Sequence, residues 1–464
     1  MSRYRVGETL LVILFAAIVT FQLFRPHSIG LANNGDFAKM IGRFSLGPAT
    51  LDSSEEYRYF TKRWIYDRSY QWMSADRSSE LIPITAAVFV GWWFSDHVFD
   101  IRVLGAIHAF LWIGCFAAFI PLLRFLEGWR RYLAGFAAVF IFTDVRYIAY
   151  CNSFYTDVAA FVFLAWAVVL WLHFVNGQGQ RPSLFILFVA ASVLCVSSKS
   201  QHAPLAMLLW MLAVMAAFLF KCRSVRAAAL ALPVLIPLAA TVTFLLMPTP
   251  EKEANESHVI FMSILHQSPA PIEDARELGL GPEYLRYVDD WSENPWANPE
   301  WRGQFAGRAS YGRIAQFYLH HPFRTLAIVY RVLRESAPRM RPDLGNYEQK
   351  YGRPPRARTK SFGWWSAFRS WLFSVAPWHI FAWYAAVLAA GIRFLILRRT
   401  MAAAFTLGLA GMAVLELFVS SLADATETDR HLFLFHVITD FTVMFSIAWM
   451  ARTTQGRASL RTSS

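Results

Sequence analysis

Long apolar segments, separated by polar connectors, dominate the sequence. A transmembrane α-helix needs about 20 consecutive, mostly apolar residues, and segments of this kind recur along the chain. The pattern predicts ten membrane-spanning helices, at residues 8–24, 101–123, 132–150, 157–175, 183–198, 203–220, 227–247, 377–395, 401–421 and 431–451. We therefore expect an all-α, polytopic membrane protein.

One apolar segment, residues 81–95, does not fit as a span. It is short, and counting it as a crossing would reverse the orientation of every later connector. We instead predict an interfacial helix on the outer side of the membrane. Trp92 and Trp93 would then lie at the depth of the lipid headgroups, where tryptophan is enriched.

Basic residues in the connectors set the predicted orientation, because Lys and Arg accumulate in cytoplasmic loops. With ten spans, the basic clusters all fall on one side: Arg3/Arg5, Arg124/Arg130/Arg131, Lys221/Arg223/Arg226, Arg393/Arg398/Arg399 and Arg452/Arg457/Arg461. Both termini are then expected in the cytoplasm. The first apolar segment is followed by Arg25-Pro26-His27 and not by a small-residue cleavage site, so we interpret it as an uncleaved anchor.

This topology divides the chain into four parts. Residues 1–247 form an N-terminal membrane module, whose first outer loop is residues 25–100. Residues 248–376 form a large extracytoplasmic loop, rich in Pro, Trp, Tyr and charge, with short helices. Residues 377–451 hold the C-terminal transmembrane helices, and the basic tail 452–464 is predicted to be disordered in the cytoplasm.

Composition supports the membrane class. Of the 464 residues, 56% are hydrophobic and only 16% are charged, whereas about 25% are charged in ordinary soluble domains. The net charge of +12 fits basic cytoplasmic loops and an affinity for membrane lipids or phosphate, so nucleic acid is not an expected partner. The four cysteines show no metal-ligand spacing, which argues against a zinc site and a disulfide framework.

Asp36, in the first outer loop, is the first candidate catalytic residue. It follows Asn33-Asn34-Gly35, residues that favour turns, and should lie just above the outer membrane surface. A carboxylate that is ionised at neutral pH can accept a proton at a membrane–water boundary. The alternative is that this segment is only a surface turn or a helix N-cap.

Further ionisable residues lie at the predicted outer ends of later spans. Asp157 begins the fourth span, Lys199 and His202 follow the fifth, and Arg430 and His431 precede the last. Simpler explanations exist: Asp157 complements a helix dipole, Lys199 reaches toward the headgroups, and Arg430 anchors a helix. Together these residues favour one cavity beneath the large loop, where Arg430 or Lys199 would bind phosphate.

The order of these features resembles the GT-C superfamily of integral-membrane glycosyltransferases, especially its protein O-mannosyltransferase and aminoarabinose lipid A transferase branches. The family has an acid in the first outer loop, then an interfacial helix and an Arg-containing lead into the second span. It also has an acid that opens a later span, a lysine after the next hairpin and an Arg-aromatic-Leu pattern before a late span. Here these features match Asp36, residues 81–95 with Arg102, Asp157, Lys199, and Arg430-His431-Leu432-Phe433.

The resemblance implies an inverting glycosyltransferase that takes its sugar from a polyprenyl-phosphate donor. Asp36 would deprotonate an acceptor hydroxyl on a glycan, a lipid or a protein. Arg430, then Lys199, then Arg102 would stabilise the phosphate leaving group. The remaining substrate-binding candidates are Asn34, Asp157, His202 and His431.

No cofactor is expected to be obligatory, although some members of the superfamily use a divalent cation. We expect a bacterial inner membrane, with the active site on the periplasmic face. The alternatives are a flippase or transporter of lipid-linked sugars and an envelope-assembly scaffold. Transporters place ionisable groups near the bilayer midplane, often in two repeated halves, whereas these candidates lie at one face of a chain without repeats. The sugar and the acceptor stay open.

Overall fold

The computed structural model describes residues 2–25, 27–49, 55–66, 77–288 and 310–462, together with Phe305 and Arg308. It is mostly helical, as the apolar segments predict. The α-helices are α1 (Ser2–Phe24), α2 (Phe37–Ile41), α3 (Leu81–Trp92), α4 (Arg102–Phe119), α5 (Trp129–Phe142), α6 (Val145–Ile148), α7 (Asp157–Asn176), α8 (Pro182–Val196), α9 (Leu205–Ala217), α10 (Arg223–Ala231), α11 (Leu235–Leu245), α12 (Thr249–Ser257), α13 (Pro271–Glu277), α14 (Tyr311–His320), α15 (Pro322–Glu335), α16 (Trp364–Val375), α17 (His379–Ile396), α18 (Thr400–Leu422), α19 (Thr428–His431) and α20 (Phe433–Thr462).

Short β-strands also occur, and the all-α prediction is wrong in this detail. β1 (Gly30–Leu31) pairs antiparallel with β5 (Leu344–Asn346), which joins the first loop, 25–100, to the large loop, 248–376. β2 (Leu46–Pro48), β3 (Arg63–Tyr66) and β4 (Val98–Asp100) form an antiparallel sheet in that order. Strands of two to four residues are too short to show the alternating pattern by which a sequence reveals a strand.

Within the described residues, seven helical segments are long and apolar enough to cross a membrane, and an eighth is obtained if α5 and the following bent segment, 145–152, form one span. Two of the ten predicted spans, 183–198 and 203–220, are the shorter helices α8 and α9, of 15 and 13 residues. At a rise of about 1.5 Å per residue, α8 is shorter than the hydrocarbon core of about 30 Å. The structure therefore supports a multi-pass membrane protein, while the count of ten stays a prediction.

The helix α3 corresponds to the predicted interfacial helix. Its 12 residues extend about 18 Å, which is too short for a crossing. Trp92 and Trp93, at its end, expose 56% and 77% of their surface. Such exposed indole rings suit the headgroup region, and the location of α3 at the membrane surface stays a prediction.

The helices α7 and α20 form the centre of the bundle. In each, 72% of the apolar window is buried inside the protein, against 22–33% in α1, in the α10–α11 segment and in α17. These peripheral helices therefore keep many apolar side chains on the surface, as helices that face lipid do.

Acidic side chains inside the bundle are paired. Glu416 of α18 lies 2.9 Å from Nδ1 of His202, and both side chains are buried. Asp440 of α20 accepts hydrogen bonds of 2.8 Å from the Arg369 guanidinium of α16. These contacts compensate the cost of burying the acids and join helices that are distant in sequence.

The C-terminal tail differs from its prediction. Helix α20 continues to Thr462, so the structure assigns helix to most of the segment 452–464 for which the sequence predicts disorder. Extending a helix from a folded span adds one hydrogen bond per residue without a new nucleation step.

Candidate functional site

A cavity of about 1000 Å³ lies where the first loop, the ends of α7, α8 and α18, and the helices α11 and α12 meet. One part of its wall is apolar, formed by residues such as Phe244, Leu245, Met247, Phe418 and Leu422. The other part is charged. Six predicted site residues line the cavity: Asn34, Asp36, Asp157, Lys199, Arg430 and His431.

The position of Asp36 is built by the short local motif that precedes it. The Asn33 side-chain oxygen accepts hydrogen bonds from the backbone N–H groups of Gly35 (2.8 Å) and Phe37 (3.2 Å), and the Asn34 oxygen accepts one from Asp36 (3.1 Å). Gly35 has φ +109°, a conformation that favours glycine. Asp36 precedes α2, but its side chain makes no capping bond. The motif is therefore a turn that presents the Asp36 carboxylate to other side chains, and it is not a helix cap.

That carboxylate pairs with two cations. Its Oδ1 lies 3.0 Å from Lys39 Nζ, and its Oδ2 accepts a hydrogen bond from Nη1 of Arg430. Burial raises the pKa of Asp36, but the positive charges of Arg430, Lys39 and Lys199 outweigh this effect and hold the pKa well below its ordinary value. Asp36 is therefore ionised at neutral pH, and a quarter of its side chain (26%) stays exposed.

Arg430 lies in the short helix α19, and several groups hold its side chain. Its Nη1 also lies 3.1 Å from Oε2 of Glu427, which in turn accepts hydrogen bonds of 2.8 Å from the Asn34 amide. The Tyr155 ring centroid is 5.8 Å from the guanidinium carbon. Nε is buried without a hydrogen-bond partner in the described part of the chain. A guanidinium fixed in this way presents several N–H donors to an anion.

Lys199 is linked to a chain of polar side chains on the same cavity wall. Its Nζ lies 3.3 Å from Nδ1 of His431. Nε2 of His431 lies 3.2 Å from one oxygen of Asp424, and Nδ1 of His258 lies 3.1 Å from the other. Burial and the nearby charge of Arg430 lower the pKa of Lys199. Burial raises the pKa of Asp424, but the hydrogen bonds from both histidines outweigh it and lower that pKa.

Asp157, the first residue of α7, is almost fully buried, with 3% exposed. Its Oδ2 has no hydrogen-bond partner among the residues that the structure describes. A buried carboxylate oxygen without a partner is costly, so Oδ2 of Asp157 leaves an unsatisfied acceptor on the cavity wall.

Two predicted site residues do not line the cavity. Arg102 pairs with Asp100, two residues before it, with Nη2 and Oδ2 2.7 Å apart. His202 pairs with the buried Glu416 as described above. The structure does not bring Arg102 and His202 to the cavity, since a nearby carboxylate contacts each side chain. The substrate-binding roles predicted for these two residues stay predictions.

Other cavity residues were not predicted as site residues: Lys39, Tyr155, Glu251, His258 and Glu427. Lys39 lies three residues after Asp36, and this spacing on a helix is a recognisable signal for an ion pair. His258 and Glu251 belong to the large loop, and only the tertiary fold brings them to the cavity. Glu427 lies three residues before Arg430, a spacing that could also have indicated an ion pair.

Among the described residues, one group has ligand atoms close enough for a metal ion: Asp274, Glu277 and His321, within 4.8 Å of one another. This group does not line the cavity. Arg324 donates to Asp274 at 3.0 Å, and His321 lies 2.9 Å from Glu277, so ion pairs account for the cluster. The expectation that no divalent cation is obligatory stays a prediction.

Comparison with known proteins gives one match. No curated protein and no solved structure matches the chain. The family model described as the YfdI N-terminal transmembrane domain matches residues 2–463, which includes every helix of the bundle and every residue of the cavity. The chain therefore belongs to the YfdI N-terminal transmembrane domain family and is an integral, multi-pass membrane protein.

Proposed function

We propose that the protein is an inverting glycosyltransferase that moves a sugar from a polyprenyl-phosphate donor to an acceptor hydroxyl group. The observation that carries this proposal is the Asp36–Arg430 pair, in which a carboxylate and a guanidinium meet on a cavity with an apolar wall. A guanidinium is a group suited to binding phosphate. The family supports the class, since YfdI is a GT-C-like membrane glycosyltransferase family.

The two kinds of cavity wall suit the two parts of such a donor. Apolar residues of α11 and α18, including Phe244 and Phe418, line the part that would contact the polyprenyl chain. Arg430 and Lys199 line the charged part and would contact the phosphate. This division lets the lipid tail stay in an apolar environment while the sugar reaches polar groups.

In the proposed reaction, Asp36 accepts the proton of the acceptor hydroxyl group as its oxygen attacks the anomeric carbon. The bond between that carbon and the phosphate oxygen breaks on the opposite face, which inverts the configuration, and the electron pair stays on the phosphate. Arg430 and Lys199 stabilise the added negative charge. Such a preorganised donor in a water-poor site contributes about 3–4 kcal/mol, or about 10²–10³ in rate.

We further propose ten crossings. Seven are the long apolar helices, one is the bent pair formed by α5 and residues 145–152, and two are the short helices α8 and α9. Both termini then lie in the cytoplasm, and the cavity opens on the periplasmic face of a bacterial inner membrane. The positions of the basic connectors support this orientation.

The direct test is release of free polyprenyl phosphate by the purified protein, supplied with a panel of lipid-linked sugars and acceptors. We expect release that requires an acceptor and is lost in Asp36→Asn. Movement of the lipid-linked sugar across vesicles without release would favour a flippase. Normal envelope assembly in cells that carry Asp36→Asn would favour a scaffold.

A further inference from the structure

The carboxylate proposed as the base contacts a cation through each of its oxygens. Lys39 lies 3.0 Å from Oδ1 of Asp36, and Arg430 donates to Oδ2. Each oxygen keeps a further lone pair, but the two cations reduce the basicity of the carboxylate. In this structure Asp36 is therefore a weaker base than a carboxylate without these contacts.

Arg430 is shared between two acids at a single nitrogen. Both Asp36 Oδ2 and Glu427 Oε2 contact Nη1 of Arg430. Glu427 adopts a left-handed backbone conformation, with φ +46°, which is uncommon for a residue other than glycine. The two carboxylates therefore compete with a phosphate for Nη1 of Arg430.

The two cations on Asp36 differ in their surroundings. Lys39 is one-third exposed (33%) and also lies 3.6 Å from Glu251 of α12. Arg430 is 8% exposed and its Nε lacks a partner in the described residues. A phosphate entering the cavity would gain most from the buried guanidinium, because charge–charge interactions are stronger away from water. Lys39 would then remain paired with Oδ1 of Asp36.

We infer that the phosphate of the donor displaces Asp36 and Glu427 from Arg430, and that this exchange makes the donor bind before the acceptor. The inference rests on the proposed function. Arg430 moves to the phosphate, while Lys39 acts as a positioning residue that keeps Asp36 in place. Oδ2 of Asp36 is released and becomes available to the acceptor hydroxyl group. Without a bound donor, Arg430 keeps the basicity of Asp36 low, so the acceptor is activated much less in its absence.

The first experiment measures binding of farnesyl phosphate, and of farnesol as the uncharged comparison, to the purified full-length protein. We compare the wild type with Asp36→Asn and Glu427→Gln, which each remove one competitor for Arg430. Glu251→Gln is the matched control, since it removes the same charge from the same cavity wall without a contact to Arg430.

We expect Asp36→Asn and Glu427→Gln to bind farnesyl phosphate more tightly, each on the order of tenfold, although Asp36→Asn is inactive in transfer. Glu251→Gln should change binding much less. An equal gain in affinity for farnesyl phosphate in all three variants would show a general electrostatic effect and would overturn the proposed exchange. If the wild type binds farnesyl phosphate no better than farnesol, the proposed function itself fails.

The second experiment uses the wild type alone and does not depend on the folding of any variant. Carbodiimides modify protonated carboxyl groups, and modification of Asp36 is followed by mass spectrometry at mildly acidic pH. When farnesyl phosphate binds Arg430, Asp36 loses contact with the cation that most lowers its pKa and gains a nearby anion. The protonated fraction of Asp36 then increases, so its labelling should rise. Unchanged or decreased labelling would overturn the exchange.

Discussion

Arg430→Gln tests the proposed chemistry most directly. The substitution removes the positive charge and keeps a polar side chain. The two carboxylates keep other partners, since Asp36 retains Lys39 at 3.0 Å and Glu427 retains the Asn34 amide at 2.8 Å. We therefore expect a folded protein, to be checked by circular dichroism and thermal unfolding.

The magnitude follows from the role of the guanidinium. Arg430 is 8% exposed, so water cannot replace its charge efficiently. Loss of a preorganised group that stabilises developing charge costs about 3–4 kcal/mol, or about 10²–10³ in rate. We expect kcat/KM for release of polyprenyl phosphate to fall by that factor, with a weaker affinity for the donor.

The pH profile gives a second, independent readout. Burial raises the pKa of Asp36, and Arg430 is the largest of the charges that lower it in the wild type. Removing that charge raises the pKa, so Asp36 becomes protonated at a higher pH. The acidic limb of the kcat/KM profile should therefore move to higher pH in Arg430→Gln.

Arg102→Gln is the matched control, because it makes the same chemical change at a residue that pairs with Asp100 outside the cavity. We expect it to retain transfer close to the wild type. The reasoning is refuted if Arg430→Gln keeps the wild-type kcat/KM, or if Arg102→Gln loses as much activity.

Three further substitutions test the site and the fold. Asp36→Asn should lower transfer by about 10²–10⁴ with an unchanged Tm; retained transfer would remove Asp36 from the role of base. Arg369→Met leaves the buried Asp440, 2.8 Å from Arg369, without its cation, and should destabilise the protein by about 3–5 kcal/mol, measured as a lower Tm in detergent. An unchanged Tm would show that the pair is unimportant for folding. Gly105→Ala would place a Cβ 2.0 Å from Oδ1 of Asn152. The overpacking should cost about 1–3 kcal/mol of stability, again measured by Tm. The comparison variant is Gly128→Ala, which tests backbone strain alone, because the added Cβ meets open space but φ is +54°.

The amino-acid sequence by itself determined the membrane class, the locations of the long helices and the turn that presents Asp36. These features depend on local patterns. An apolar run of about 20 residues can satisfy its backbone hydrogen bonds in lipid only as a helix. The turn at Asn33-Asn34-Gly35 closes on its own side chains, through hydrogen bonds that reach at most four residues.

The tertiary structure decided which charges meet. Asp36 and Arg430 are 394 positions apart and share one ion pair, and Glu416 contacts His202, which lies 214 positions before it. The pairing of β1 with β5, through Gly30 and Asn346, also joins distant segments. The energy of a charge pair depends on a separation of a few ångströms and on the surrounding dielectric. Neither quantity is present in a local sequence pattern for residues far apart in the chain, so only the packed bundle could bring these distant charges together.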